Sequence, residues 1–224
     1  MQERRHPGAG DGTVNSPPTI TALTPHKARP GRVKVEIDGK YAFELSRKVI
    51  RNKSVYEGER LSAERRRELE AVAAREAAIG LLARRERSRS ELQTALKRKG
   101  FDSKLIAGVL DTLEKERLQS DSRFANAWVE TRRRLSPRGR KALIYELKQK
   151  GIAESKIDPA LKNYDSDAEL AALRELIAAR LPRLIASGGE KDKIKRRLLG
   201  FLSRRGFSYE DIRQVLARDF PDWA

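Results

Sequence analysis

Counting back from Gly100, Gly151 and Gly206, leucine falls eight residues before each glycine (Leu92, Leu143, Leu198) and four before each (Leu96, Leu147, Leu202). Apolar positions four apart with polar residues between them mark one face of a helix, and the glycine supplies the left-handed residue that ends it. The pattern resumes beyond each glycine. A bulky apolar residue comes next (Phe101, Ile152, Phe207), an isoleucine follows six residues after the glycine (Ile106, Ile157, Ile212), and an apolar pair comes at nine and ten (Val109-Leu110, Ala160-Leu161, Val215-Leu216). A second helix therefore follows each glycine with its buried face in the same register. The glycines are 51 and 55 residues apart, the self-similarity of a repeat architecture in which stacked neighbours complete one core.

The flanking pattern adds a helix to the front of each pair. The first spans 61 to about 84, with Leu69, Val72, Ile79 and Leu82 on one side and Ala73, Ala77 and Gly80 allowing close approach. The second opens at Asp121 and carries Phe124, Ala125, Trp128 and Val129. The third opens near 165–167 with Leu170, Leu173, Leu176, Ile177 and Leu181, then meets Pro182 and a loop over 186–190. Ser88 with Glu91, and Ser208 with Asp211, read as capping boxes, and Asp102 as a further cap. Ser136-Pro137 reads as a helix start, with proline at the first helical position. Pro159 stands where the first repeat has Gly108. Either the helix begins late, with Asp158 as cap and Pro159 as its first residue, or it is kinked.

Before the first repeat the period changes to two. Val33, Val35 and Ile37, then Asp38-Gly39, then Tyr41, Phe43 and Leu45 describe a hairpin closed by a turn that needs positive φ. Its apolar face is expected to pack on the first helix or on a third short strand around 20–23. Residues 1–19 mix Gly, Pro and polar residues without a period and are expected to be a disordered tail. The predicted fold is mainly α: an elongated array of three tandem three-helix repeats (61–118, 119–165, 166–220), nine helices in all, preceded by a small N-terminal β-hairpin element over 20–60. With helices about 8 to 10 Å apart the stack would span on the order of 60 to 90 Å.

Charge changes the picture from fold to partner. Lys and Arg number 49 against 32 Asp and Glu, a formal net charge of +17 over 224 residues, and such a field attracts polyanions. Nucleic acid is the first candidate, and an acidic protein surface remains open. A membrane surface is disfavoured because the basic helices carry few large exposed aromatics. Basic residues also keep the repeat's register: Arg87, Arg138 and Lys193 stand thirteen before each glycine, Arg89, Arg140 and Lys195 eleven before, and Lys99, Lys150 and Arg205 one before. Stacked in one direction, these clusters would align into a stripe able to follow a phosphate backbone or a repeating protein surface. The candidate binding residues are Arg84, Arg85, Arg87, Arg89, Lys97, Arg98 and Lys99 in the first repeat. Those in the second are Arg132, Arg133, Arg138, Arg140, Lys141, Lys148 and Lys150. The third contributes Lys193, Lys195, Arg196, Arg204 and Arg205. Arg138, Arg140 and Lys141 are expected to be exposed.

Other chemistry finds little support. The chain has no cysteine, hence no disulfide, thiolate metal site or cysteine nucleophile, in keeping with a reducing cytoplasm. No apolar run approaches membrane-spanning length, and the first 20 residues lack the apolar segment of a signal peptide, so a protein that is not exported is expected. His6 and His26 fall outside the repeats, no phosphate-binding glycine loop is present, and the carboxylates are scattered at helical spacing as surface pairs are. No catalytic residue, metal or cofactor is expected. Phe124 and Trp128 could stack on bases, but they lie on an apolar helix face and read as core. Duplex readout by a helix-turn-helix would need Asn, Gln or Arg on an exposed face, whereas the helices after the glycines mix Asp, Glu and Lys.

Taken in order, the residues resemble the RecX family, regulators of the bacterial recombinase RecA. The resemblance rests on Arg84-Arg85-Glu86-Arg87-Ser88 with Glu91-Leu92, on Lys99-Gly100-Phe101, on Asp121 with Phe124-Ala125 and Trp128, on Lys150-Gly151-Ile152, and on Arg204-Arg205-Gly206-Phe207. It covers about 20 to 218. It implies a curved array of three-helix repeats that lies in the groove of the RecA filament on single-stranded DNA, inhibits ATP hydrolysis and strand exchange, and promotes disassembly. The implied partners are the RecA filament and single-stranded DNA, with duplex DNA a further candidate, and the chain is expected to act as a cytoplasmic monomer. The tail, Pro159 and the Gly188-Gly189 loop depart from the family's usual pattern.

Overall fold

The computed structural model describes residues 16–162 and 164–223. Most of the tail expected from the sequence lies outside that range. The fold is mainly helical, with ten α-helices among the described residues and a three-stranded antiparallel sheet at the N-terminal end. The chain divides into two compact units, one ending at Glu76 and one beginning at Ala77.

In the first unit, β1 (Ile20–Pro25), β2 (Arg32–Ile37) and β3 (Lys40–Ser46) pair in sequence order, so the third strand is real. Asp38 and Gly39 both take positive φ, 50° and 73°, as the two-residue turn requires. Val33, Val35, Ile37, Phe43 and Leu45 are buried on one face. Tyr41 breaks the predicted alternation. Val35 pairs with Phe43 but Glu36 with Tyr41, and this one-residue bulge turns the ring outward, leaving it 57% exposed.

A short helix that the apolar pattern does not reveal, α1 (Arg47–Asn52), follows directly, capped by the Ser46 side chain on the Val49 N–H. The Glu76 carboxylate accepts from the Ser46 N–H (2.9 Å) and from Arg32 (2.7 Å). Pro18, in the stretch expected to be tail, accepts a backbone hydrogen bond from Leu61. Helix α2 (Ala63–Leu82) then starts with Ser62 bonded to the Arg65 N–H. Its buried stripe is Leu69, Ala73, Ala74 and Ala78, while Ile79 is 38% exposed. The alanines set the face that comes close, and Ile79 falls outside it.

The three-helix repeats follow in tandem. In chain order, the first comprises α2, α3 (Arg89–Arg98) and α4 (Ser103–Lys115). The second comprises α5 (Asp121–Leu135), α6 (Arg140–Gln149) and α7 (Glu154–Ala160). The third comprises α8 (Ser166–Ala186), α9 (Lys191–Arg204) and α10 (Tyr209–Asp219). Gly100, Gly151 and Gly206 have φ of 89°, 74° and 85°, the left-handed stops expected of them. Ser88, Asp102 and Ser208 cap α3, α4 and α10 through backbone N–H groups.

Each later repeat holds its own apolar cluster. Phe124, Leu143, Leu147, Ile157 and Tyr164 form one, and Leu173, Ile177, Leu198, Leu202 and Ile212 lie in the other. Pro159 does not open the helix after an Asp158 cap, the first of the two alternatives. Helix α7 begins early, at Glu154, and Pro159 sits in its last turn, where only one ladder bond is lost. Pro182 is likewise inside α8, which runs on to Ala186 because buried Leu181 and Leu184 hold its end.

Candidate nucleic-acid interface

The basic residues are placed by the way one repeat docks on the next, and that joint is built twice. Ser88 and Gly139 each stand twelve residues before their glycine and N-cap α3 and α6. The fully buried Ser88 hydroxyl donates to the Lys150 carbonyl (2.8 Å) while accepting from the Glu91 N–H (3.1 Å). At the second joint the Gly139 N–H donates to the Arg205 carbonyl (2.9 Å). The start of the middle helix in one repeat thus meets the glycine turn of the next. The approach is tight: a Cβ on Gly139 would lie 2.2 Å from the Gly206 oxygen, and one on Gly151 would lie 2.6 Å from the Ser90 Cβ.

A carboxylate reinforces each joint. Asp121 accepts from the Arg89 N–H (2.8 Å), and Glu169 from the Arg140 N–H (2.9 Å). Each places a negative charge at the N-terminal end of a helix, where free N–H groups and the helix dipole favour it. Burial pushes the Glu169 carboxyl up, against the hydrogen bond from Arg140. Burial also acts to raise Glu91, but hydrogen bonds from Arg85 and Lys150 outweigh it and hold that carboxyl below its ordinary value.

This joint overturns two expectations. Ser136-Pro137 does not start a helix; Ser136 ends α5 and α6 begins at Arg140. The intervening chain is non-helical and brings Gly139 onto Gly206, and the Pro137 carbonyl accepts from Arg205 (3.2 Å). Nor are Arg138, Arg140 and Lys141 all exposed. Only Lys141 is. Arg140 donates to the Leu161 and Tyr164 carbonyls, both at 3.2 Å, and Arg138 lies 3.5 Å from Glu146.

In the first repeat, Arg84, Lys97, Arg98 and Lys99 are exposed. Arg85 pairs with Glu91 and Arg89 with Asp111, while half-buried Arg87 reaches the Leu81 carbonyl. In the second, Arg133 pairs with Glu130, Lys148 with Glu154, and Lys150 with Glu91 across the joint. In the third, Lys193, Arg196 and Arg204 are exposed, and Lys195 and Arg205 are half-buried. Helix α9 has 14 residues against 10 in α3 and α6. Lys193 and Lys195 therefore lie inside a helix, whereas Arg87 and Arg138 precede theirs. The third basic cluster shares the count from its glycine but not the structural place.

Trp128 is half-buried and packs against the apolar cluster of the second repeat. Its Nε1 donates to the Glu146 carboxylate (2.9 Å), which also accepts from Arg132 (2.7 Å). The Arg132 guanidinium and the Lys150 ammonium lie 4.5 and 5.0 Å from the ring centroid, and Phe124 stacks at 5.8 Å, so neighbours already occupy the ring. Arg205 is held below the usual arginine range by burial first, then by the charges of Arg138, Arg180 and Arg132. Arg180, Arg197 and Phe201 also contribute to this basic region, though none stands at a position the register singles out. A basic residue near the end of α8 and an aromatic beside Gly200 were the available signals.

Residues 74–113, 120–161 and 167–216 match the sequence models of the first, second and third three-helix domains of RecX. The Regulatory protein RecX of Mycolicibacterium vanbaalenii is 37% identical over 139 residues, covering 60% of this chain and 76% of that protein. The Regulatory protein RecX of Clostridium acetobutylicum is 28% identical over 210 residues, covering 91% and 97%. A crystal structure of regulatory protein RecX matches the fold with a TM-score of 0.57 at 22% identity, over 90% of this chain and all of that one. RecX from Lactobacillus salivarius matches with the same TM-score and identity over 66% of this chain and 95% of that one.

Proposed function

The chain belongs to the RecX family of regulatory proteins, and from that membership we propose that it is a negative regulator of the RecA recombinase. It acts in the cytoplasm as a monomer, engages the RecA filament on single-stranded DNA through its basic surface, slows ATP hydrolysis and strand exchange, and promotes filament disassembly. The observation that carries this reading is the ordered series of three RecX three-helix domains on a chain of net charge +17. Such a charge draws the chain to a polyanionic nucleoprotein, and tandem repeats joined through the same contacts give it a surface that meets more than one filament subunit. No helix among the described residues is long and apolar enough to cross a membrane.

Binding to three targets at matched salt tests it: RecA-coated single strands, bare single strands and random duplex. The coated strand is expected to bind most tightly. Equal affinity for all three would instead make the protein a general polyanion binder.

A further inference from the structure

Most basic residues around the two joints are already engaged by carboxylates or carbonyls, and the contrast with the third repeat is sharp. Between α8 and α9 lies a groove of about 840 Å³ lined by Arg180, Lys193, Arg196, Arg197 and Arg204 around Phe201, with no acidic residue in its lining. Arg197 donates to the Ser187 hydroxyl (3.2 Å). The Arg180 guanidinium lies 5.0 Å from the Phe201 centroid, and its Nε is buried with no hydrogen-bond partner. Arg205 sits 4.6 Å from the same ring. Gly200 forms part of the groove wall, where a Cβ would stand 3.2 Å from the Arg204 guanidinium, so the glycine lets that side chain fold across its own helix.

From this geometry we infer that the groove between α8 and α9 is a binding track for the sugar–phosphate backbone of a single-stranded nucleic acid. The lining cations stand close together with no carboxylate among them, so they repel one another, and a bound polyanion relieves that repulsion. The cations are strung out rather than converging on one point. Lys193 and Arg204 are eleven residues apart on α9, about 16 Å at helical rise, which suits consecutive phosphates better than a lone anion. Phe201 is occupied by Arg180 and Arg205, so it orients guanidiniums instead of stacking bases, and recognition is independent of sequence. A flexible strand can follow cations strung along one helix, whereas a stiff duplex would reach only some of them.

This inference rests on the nucleic-acid side of the proposed function but needs no recombinase, so the two can fail separately. The test is binding of the full chain to a labelled oligothymidine as salt is raised from about 50 to 200 mM. The variant Lys193→Gln/Arg196→Gln/Arg204→Gln removes three exposed cations of the groove. A matched control, Lys104→Gln/Lys115→Gln/Lys162→Gln, removes three exposed charges elsewhere, and circular dichroism checks that both retain the parent's helicity. The groove variant is expected to lower the log–log salt slope by about 2 and weaken binding about tenfold or more at the lowest salt, with the control unchanged. An unchanged slope, an equal loss in the control, or no binding by the parent overturns the assignment. So does intact oligonucleotide binding with lost action on RecA, which gives the groove to a protein surface. A parent chain that binds DNA through the groove yet leaves RecA unaffected contradicts the proposed function alone.

Discussion

Gly139 has φ −65° and ψ 156°, a conformation open to any residue, so its requirement is one of space alone. An added methyl would meet the Gly206 carbonyl and the Phe207 nitrogen at 2.2 and 2.6 Å. Backbone on backbone cannot yield without moving one repeat from the next. Gly139→Ala is expected to cost about 1 to 3 kcal/mol, lowering Tm by roughly 2 to 4 °C per kcal/mol. Gly108, inside α4 with nothing within 4 Å, is the internal comparison, and Gly108→Ala should gain about 0.5 to 1 kcal/mol. Thermal melts of both read the difference in sign. Gly100, Gly151 and Gly206 were legible because a glycine after a helical period is local punctuation. Gly139 was not, because its reason is a carbonyl 67 residues away in the chain. The half-buried Arg138 and Arg140 were misread on the same ground: a basic run looks exposed until carbonyls and a carboxylate from elsewhere reach it.

At the scale of elements, the apolar period located all nine helices of the repeats and both hairpin strands. It missed α1, six residues with none buried, since a helix without a buried face leaves no periodic mark. It also carried the basic register too far, because α9 gains a turn at its start while keeping its glycine. The joint between the first two repeats has a pH signature of its own. Glu91 is held below its ordinary value by Arg85 and Lys150, so ionised Glu91 stabilises the folded chain. That contribution is present above the unfolded glutamate pKa of about 4.3 and is lost as pH falls through the lower folded value. Glu169 runs the other way. Its folded value is raised by burial, so its contribution declines as pH rises from the unfolded value through the folded one. Melting the parent and Glu91→Gln across acid pH separates the two. The parent should be the more stable at neutral pH, with the gap closing at low pH; a gap that stays constant would mean that the pair across the joint contributes nothing.

At the scale of the whole molecule, the identity of the family was carried by the order of short signals along the chain, each of them ordinary alone. The net charge of +17 indicated a polyanionic partner but not where it lies. Many of the basic residues counted from sequence are paired with Glu91, Glu146, Asp111 or Glu154, while Lys193, Arg196 and Arg204 on α9 line a groove with no acidic residue in its lining. Charge counts cannot distinguish these, because pairing depends on which helices meet. The central claim is that this surface serves to restrain a RecA filament. Its most direct measurement is ATP hydrolysis by RecA on single-stranded DNA as the chain is titrated in. The account predicts inhibition well below one copy per RecA subunit, since a chain that engages several subunits acts on the filament as a whole. Unchanged hydrolysis at saturating chain, with DNA binding intact, would contradict it.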